Sequence, residues 1–481
     1  MGQFWETLKY WIPIIADKYM WGWGPQFLGG IPLMVILLLG TGIILTLVTG
    51  FIQIRRFKNA TKLVLSGAFK KDESEQVEGD ITPFQALMTA LSATVGNGNI
   101  AGVASAIALG GPGAAFWMWV TAVFGMATKY AEAVLGVKYR KIAEDGSMAG
   151  GPMYYCEYGI GGKFGRIMGI IFAVSGTIAC LIGTGNMFQT NSMAVALQNQ
   201  FSIPQWITGL VVTVLVGLVI IGGIKRIGQV AERLVPFMIA LYFVGALLVI
   251  FWHITAVPQA LILIFETAFS PRAAFGGAVG IGVQQAIRYG VARGILSNES
   301  GLGSAPIAHG AAKTKDPVRQ GQIAMMGTFI DTIVVCSLTA IAITVTGAYR
   351  QGPLFVPQDV ALNSIDMTTY AFDSVLPGGG IIVAIGSILF GFSTLLGWSY
   401  YGEICLEYLA GIKVRTLYRM MFIMFMFLGS LPSQQGIQVV LKIGDIGNAM
   451  MAFPNLVALL FLAGSVGRIT HEFLARAKAG G

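Results

Sequence analysis

Four small polar residues in a row, Gly96-Asn97-Gly98-Asn99, interrupt an apolar stretch running from Phe84 to Leu109. About 20 apolar residues cross a bilayer as a helix, so this interruption falls at membrane depth. Glycine and asparagine are poor helix formers, and backbone groups released from helical bonding cannot face lipid, where each unsatisfied one costs several kcal/mol. Such a break is tolerated where it lines a cavity. Two half-helix ends aimed at a small polar ligand make a midplane binding site of the kind secondary transporters use. Asp331 adds a second signal, because it stands within the apolar stretch Ile323 to Thr346. An ionised carboxylate there is expensive and implies a function with a cation as partner; the alternative is a structural pair with Lys129 or Arg288. The chemistry is that of binding and moving a small solute.

Bond-making chemistry finds no support. Cys156, Cys180, Cys336 and Cys405 are widely separated, as are His253, His309 and His471, so neither a metal cluster nor a nucleophile with its base is assembled in sequence. Gly96-x-Gly98-x-x-Ala101 fits a degenerate dinucleotide fingerprint, but that fingerprint follows a strand, and here an apolar span precedes it. The chain is read as a non-enzyme without an organic cofactor.

The elements that must position these residues follow from composition. The chain is 55% hydrophobic and 11% charged, with a mean hydropathy of +0.71; soluble proteins carry about 25% charged residues. Continuous apolar runs, rather than alternation, exclude a membrane barrel. The reading is an all-α polytopic membrane protein with eleven spans: Ile31–Ile52, Phe84–Leu109, Ala114–Val137, Ile167–Phe188, Trp206–Ile224, Leu234–Trp252, Phe275–Leu296, Ile323–Thr346, Ile381–Leu409, Leu417–Leu431 and Asp445–Val466. With these boundaries, 23 of the 31 basic residues lie on one face and five on the other. Basic loops mark the cytoplasmic side, which places the N-terminus outside and the C-terminus in the cytoplasm. The net charge of +8 is thus a topology signal and not a nucleic-acid footprint. Trp5, Tyr10, Trp11, Tyr19, Trp21 and Trp23 crowd the start of the chain, as expected of an interfacial segment.

A second glycine cluster, Gly276, Gly277, Gly280 and Gly282, followed by Gln284 and Gln285, opens the seventh span. Five spans separate it from the first, so the two interrupted segments enter the membrane from opposite faces. That is the sequence pointer to an inverted repeat with a site between its halves. Residues 81–253 (spans two to six) and 254–470 (spans seven to eleven) form the two five-helix repeats, with helices two and seven broken. Residues 1–80 hold the interfacial segment, an accessory helix and a cytoplasmic loop, and 471–481 a cytoplasmic tail.

Long blocks in both halves closely resemble the alanine/glycine:cation symporter family. They are GNGNIAG (Gly96 to Gly102), the stretch from Gly110 to Gly125, KYAE (Lys129 to Glu132), GGPMYY (Gly150 to Tyr155) and the stretch from Ala286 to Thr314. The resemblance implies a leucine-transporter-like fold and sodium-driven import of alanine or glycine across the plasma membrane, with sodium as the coupling ion. A proton-coupled transporter of the same fold is the alternative. A zwitterion brings a carboxylate and an ammonium that both need partners when desolvated. Substrate contacts are therefore expected from Thr94, Gly96, Asn97, Gly98, Gln189, Gly276, Gly277, Gly280, Gln284 and Trp398. Sodium ligands are expected from Asn97, Asn99 and Asp331 and, on the resemblance, from Ser393 and Thr394. Each has a plainer reading. The glycines can serve close helix packing, the asparagines can cap half-helices, the hydroxyls can bond back to their own helix, and the glutamines can bridge helices. Glu132, Arg288, Arg293 and Glu299 are expected toward the cytoplasmic side as structural or gating charges.

Overall fold

The computed structural model describes residues 10–15, 32–69, 78–269, 283–357, 360–362, 364–431 and 434–479. Each expected span is met by a helix or a pair of helices among them. Helix α1 is Leu33–Val48; the second span divides into α2, Pro83–Thr94, and α3, Val103–Gly110. Then come α4 (Ala114–Lys138), α5 (Gly162–Ile182), α6 (Met187–Phe201), α7 (Gln205–Ile220), α8 (Gly223–Trp252) and α9 (Val257–Phe269). The second half holds α10 (Val283–Asn298), α11 (Ala305–Gly310), α12 (Pro317–Thr328), α13 (Ser337–Val345), α14 (Ile365–Asp373), α15 (Gly379–Ala410), α16 (Arg415–Gly429) and α17 (Gln434–Ala479). Among the described residues six helical stretches are long and apolar enough to cross a membrane by themselves, and α1, α7, the second half of the second span and the stretch containing α9 are shorter apolar helices.

Local sequence explains how the first broken span is made. Thr82 and Gln85 form a reciprocal capping box around Pro83, which starts α2 where a proline lacks no needed N–H. At Val95 the backbone turns extended (φ −76°, ψ 91°), and the chain resumes through a π-helical turn, Gly98–Gly102, before α3. The span is broken where the glycine–asparagine run predicts. Of the first 25 residues, only 10–15 are described; they are helical, with Tyr10 and Trp11 exposed.

Gly276, Gly277, Gly280 and Gly282 lie outside the described residues. Among the described residues an interruption follows just beyond the expected end of the seventh span, at 299–304 between α10 and α11, where Glu299, Gly301 and Gly303 all have positive φ. A third interruption, not anticipated, separates α5 from α6 at 183–186.

Of the six long stretches the most enclosed is α4, whose most apolar window is 83% buried, against 39% for α8. Against it packs α10, at a spacing only glycine permits. A Cβ on Gly290 would stand 2.4 Å from the Ala114 carbonyl oxygen, and one on Gly294 2.4 Å from Thr121 Oγ1. Close backbone approach of this kind is how helices pack tightly in lipid. At the end of the molecule where the basic loops gather, the Lys313 N–H donates to the Ile81 carbonyl (2.7 Å) and the Asp80 N–H to that of Ala311 (2.8 Å). The start of the second span is thereby tied to the end of the seventh, so the two interrupted spans run side by side in opposite directions.

Candidate functional site

Between the two interruptions lies a cavity of about 350 Å³, at the small end of the range for ligand pockets. The first break contributes Thr94, Gly96, Asn97 and Gly98; α15 contributes Thr394 and Trp398; α6 contributes Phe188 and Gln189. From α10 and the second break come Arg293 and Glu299.

The polar groups around the first break are tied across helices. Asn97 donates through Nδ2 to Gln189 Oε1 (3.1 Å), while its Oδ1 accepts from Ser387 Oγ on α15 (2.6 Å). Asn99 Oδ1 accepts the Gly96 N–H (2.9 Å), which closes the loop on itself. The N–H groups of Asn97 and Gly98, ahead of the π turn, have no intrahelical acceptor, as at any helix start; they are the partial positive charge that favours an anion. Thr394 reaches this backbone closely: a Cβ on Gly96 would lie 2.6 Å from Thr394 Oγ1.

Behind the break, Asp331 is wholly buried on a π-helical stretch, Phe329–Cys336, a feature frequent at functional sites. Its carboxylate accepts from Asn99 Nδ2 (2.6 Å), Ser297 Oγ (3.0 Å) and Thr332 Oγ1 (2.7 Å). One chain of contacts therefore runs from the first break through Asn99 and Asp331 to the end of α10. Lys129, only 2% exposed, donates to no acceptor through Nζ, and its charge acts on Glu132, Glu299 and Asp331. The second break is held by Glu132, whose Oε1 accepts the N–H groups of Gly301 (3.0 Å) and Gly303 (3.1 Å) and Asn455 Nδ2 (2.7 Å).

The structure thus brings together Thr94, Gly96, Asn97, Gly98, Gln189, Thr394 and Trp398 at one cavity and sets Asn99 and Asp331 against its back wall. Ser393 does not line it; both Ser393 and Thr394 bond back to the Phe390 carbonyl (2.9 and 2.8 Å). Gln284 is exposed at the start of α10 and stands apart from the cavity lining. Gly276, Gly277 and Gly280 lie outside the described residues. Arg293 and Glu299, expected toward the cytoplasmic side as structural or gating charges, both line the cavity. A sequence signal for this exists: Glu299-Ser300-Gly301-Leu302-Gly303-Ser304 has the small polar composition of Gly96–Asn99, but without an apolar run on both sides to mark it as a break.

A bundle of apolar helices with two antiparallel interrupted spans enclosing a polar cavity defines a multi-pass membrane transporter. MhsT, solved in complex with L-phenylalanine, superposes with a TM-score of 0.53 over 82% of this chain and 99% of its own at 12% identity. A mutant of the manganese transporter from Eremococcus coleocola gives 0.50 at 14% identity, over 80% of this chain and 82% of its own. The fold is therefore leucine-transporter-like. The sequence profile of the sodium:alanine symporter family matches residues 18–481, and the chain belongs to that family. A relative from Methanococcus maripaludis, the sodium/alanine symporter AgcS, is 48% identical over 459 residues, covering 95% of this chain and 96% of the relative. The probable sodium/glutamine symporter GlnT of Bacillus subtilis is 36% identical over 467 residues, covering 97% and 91%.

Proposed function

We propose that this transporter couples sodium to the import of small neutral amino acids, alanine and glycine, across the plasma membrane. The cycle is alternating access: the repeats 81–253 and 254–470 rock about the cavity, with the N-terminus outside and the C-terminus in the cytoplasm. The observation that carries this reading is the cavity shared by both interrupted spans, with the Thr394 hydroxyl set against the Gly96 backbone. The amino acid's carboxylate takes the N–H groups of Asn97 and Gly98, where the helix end favours negative charge. Asn97 and Gln189 fix its orientation through their mutual bond, and Trp398 walls the side-chain end. Sodium, a hard cation preferring oxygen, draws on Thr94, Thr394 and the broken backbone, with Asp331 supplying the compensating negative charge through Asn99. The family's description and the name of the 48%-identical relative support sodium over protons and alanine as substrate.

The test is alanine uptake into proteoliposomes under an inward sodium gradient, against potassium replacement and an imposed pH gradient. Sodium-dependent accumulation is the expected result. Accumulation driven by the pH gradient alone would overturn sodium coupling, and no accumulation with either would overturn the substrate.

A further inference from the structure

Glu299 belongs to no function assigned so far, and four observations single it out. It is 3% exposed, yet it lines the central cavity. It is one of four non-glycine residues among those described with positive φ (54°), a conformation that costs a side-chain-bearing residue energy and collects at functional sites. Its two carboxylate oxygens are each held by one donor, Oε1 by Trp398 Nε1 at 3.1 Å and Oε2 by the Ser304 hydroxyl. A carboxylate offers about four acceptor positions, so the group is fixed in direction with lone pairs to spare.

The charges around it are unbalanced. Lys129 is the one lysine or arginine buried among the described residues, whereas Glu132, Asp331 and Glu299 are all buried near it. Glu132 takes three donors from the second break and α17, all on Oε1, and its Oε2 is buried without one; Asp331 takes three from the back wall. Of these three acids only Glu299 lines the cavity, where Arg293 and Asp445 are the other charged side chains. Buried charge must be compensated, and a cationic group arriving in the cavity does so.

We propose that Glu299 is the acceptor for the substrate's α-ammonium group, so that the site selects amino acids over other small carboxylic acids. This rests on the central cavity being the amino acid site. The ammonium fits better than sodium because sodium needs a shell of oxygens. Leu296 and Leu302, three residues to either side of Glu299, and Trp398 bring none through their side chains. An ammonium needs one anion and a few acceptors. The substrate then lies across the cavity, carboxylate toward Asn97 and Gly98, ammonium toward Glu299, with a small side chain against Trp398 and the leucines.

The experiment is equilibrium binding to purified full-length protein in sodium, with alanine and with lactate, in which a hydroxyl replaces the ammonium. Alanine binding by the unaltered protein tests the transport-site reading by itself. Glu299→Gln keeps the shape of the side chain and an acceptor for Trp398 while removing the charge. Its alanine Kd should rise about tenfold or more, its lactate Kd should stay level or fall, and its half-saturating sodium should stay within about threefold. Glu299→Asp, which keeps the charge, should retain preference for alanine over lactate; if Glu299→Gln does not fold, loss of that preference in Glu299→Asp overturns the proposal. An unchanged alanine Kd in Glu299→Gln, equal loss of alanine and lactate, or a shift confined to sodium each overturns it too.

Discussion

Replacing Gly96 with alanine tests whether the hydroxyl on α15 and the first break form one sodium site. The added methyl would stand 2.6 Å from Thr394 Oγ1, far inside contact distance, so the hydroxyl must swing away or the broken backbone must retreat. Either movement separates the two groups assigned to sodium, and the first also gives up the bond from Thr394 Oγ1 to the Phe390 carbonyl (2.8 Å). Overpacking by a single methyl in a tight interior costs about 1–3 kcal/mol. If that cost falls on the sodium-bound state, half-saturating sodium rises roughly 5- to 150-fold. The assay is sodium titration of alanine uptake in proteoliposomes for Gly96→Ala, Thr394→Ala and the double variant. Removing the hydroxyl removes the clash, because the next Thr394 atom, Cβ, lies at 3.8 Å. The double variant should therefore match Thr394→Ala within about 0.5 kcal/mol. If Gly96→Ala costs the same with and without the hydroxyl, the two groups do not act together and do not form one sodium site.

Asp331→Asn keeps the size of the side chain but removes the charge that Asn99, Ser297 and Thr332 surround; half-saturating sodium should rise about tenfold or more. A normal sodium dependence in that variant would exclude Asp331 from coupling. Glu132→Gln weakens three bonds that hold the second break and should lower unfolding stability by about 1–3 kcal/mol, read as thermal melting in detergent; an unshifted melt would mean the break is held by packing alone. Arg415 bridges Asp145 (2.7 Å) and Glu407 (2.6 Å) and donates to Ser147 (2.8 Å), clamping the hairpin of β1 (Lys141–Ile142) and β2 (Met148–Ala149) to the end of α15. Arg415→Gln should speed amide hydrogen exchange across 141–149, and exchange at the original rate would count against the clamp.

The first break is legible in the sequence because everything that makes it is local. Glycine and asparagine at 96–99 fail as helix formers within an apolar run, and the capping box at Thr82 and Gln85 fixes where the preceding helix starts. The spans are legible because lipid imposes length and hydropathy on each segment separately, and the loops carry the charge bias. The intramembrane acid at 331 stands out for the same reason. What escapes is whatever depends on partners distant in sequence. A serine or threonine in a helix reads alike whether it faces a cavity or its own turn, so Ser393 and Thr394 cannot be separated until the rotation of α15 is known. The glycine cluster Gly276–Gly282 lies outside the described residues; the interruption at Glu299–Ser304 escapes because it is held open by Glu132 and Asn455, 169 and 154 residues from Gly301. Sequence by itself determined the membrane-spanning architecture and the first half of the site, since helix propensity and hydropathy act over a few residues. Only the tertiary structure decided that Glu299 and Arg293 face the cavity, because a buried charge takes its meaning from the groups packed around it.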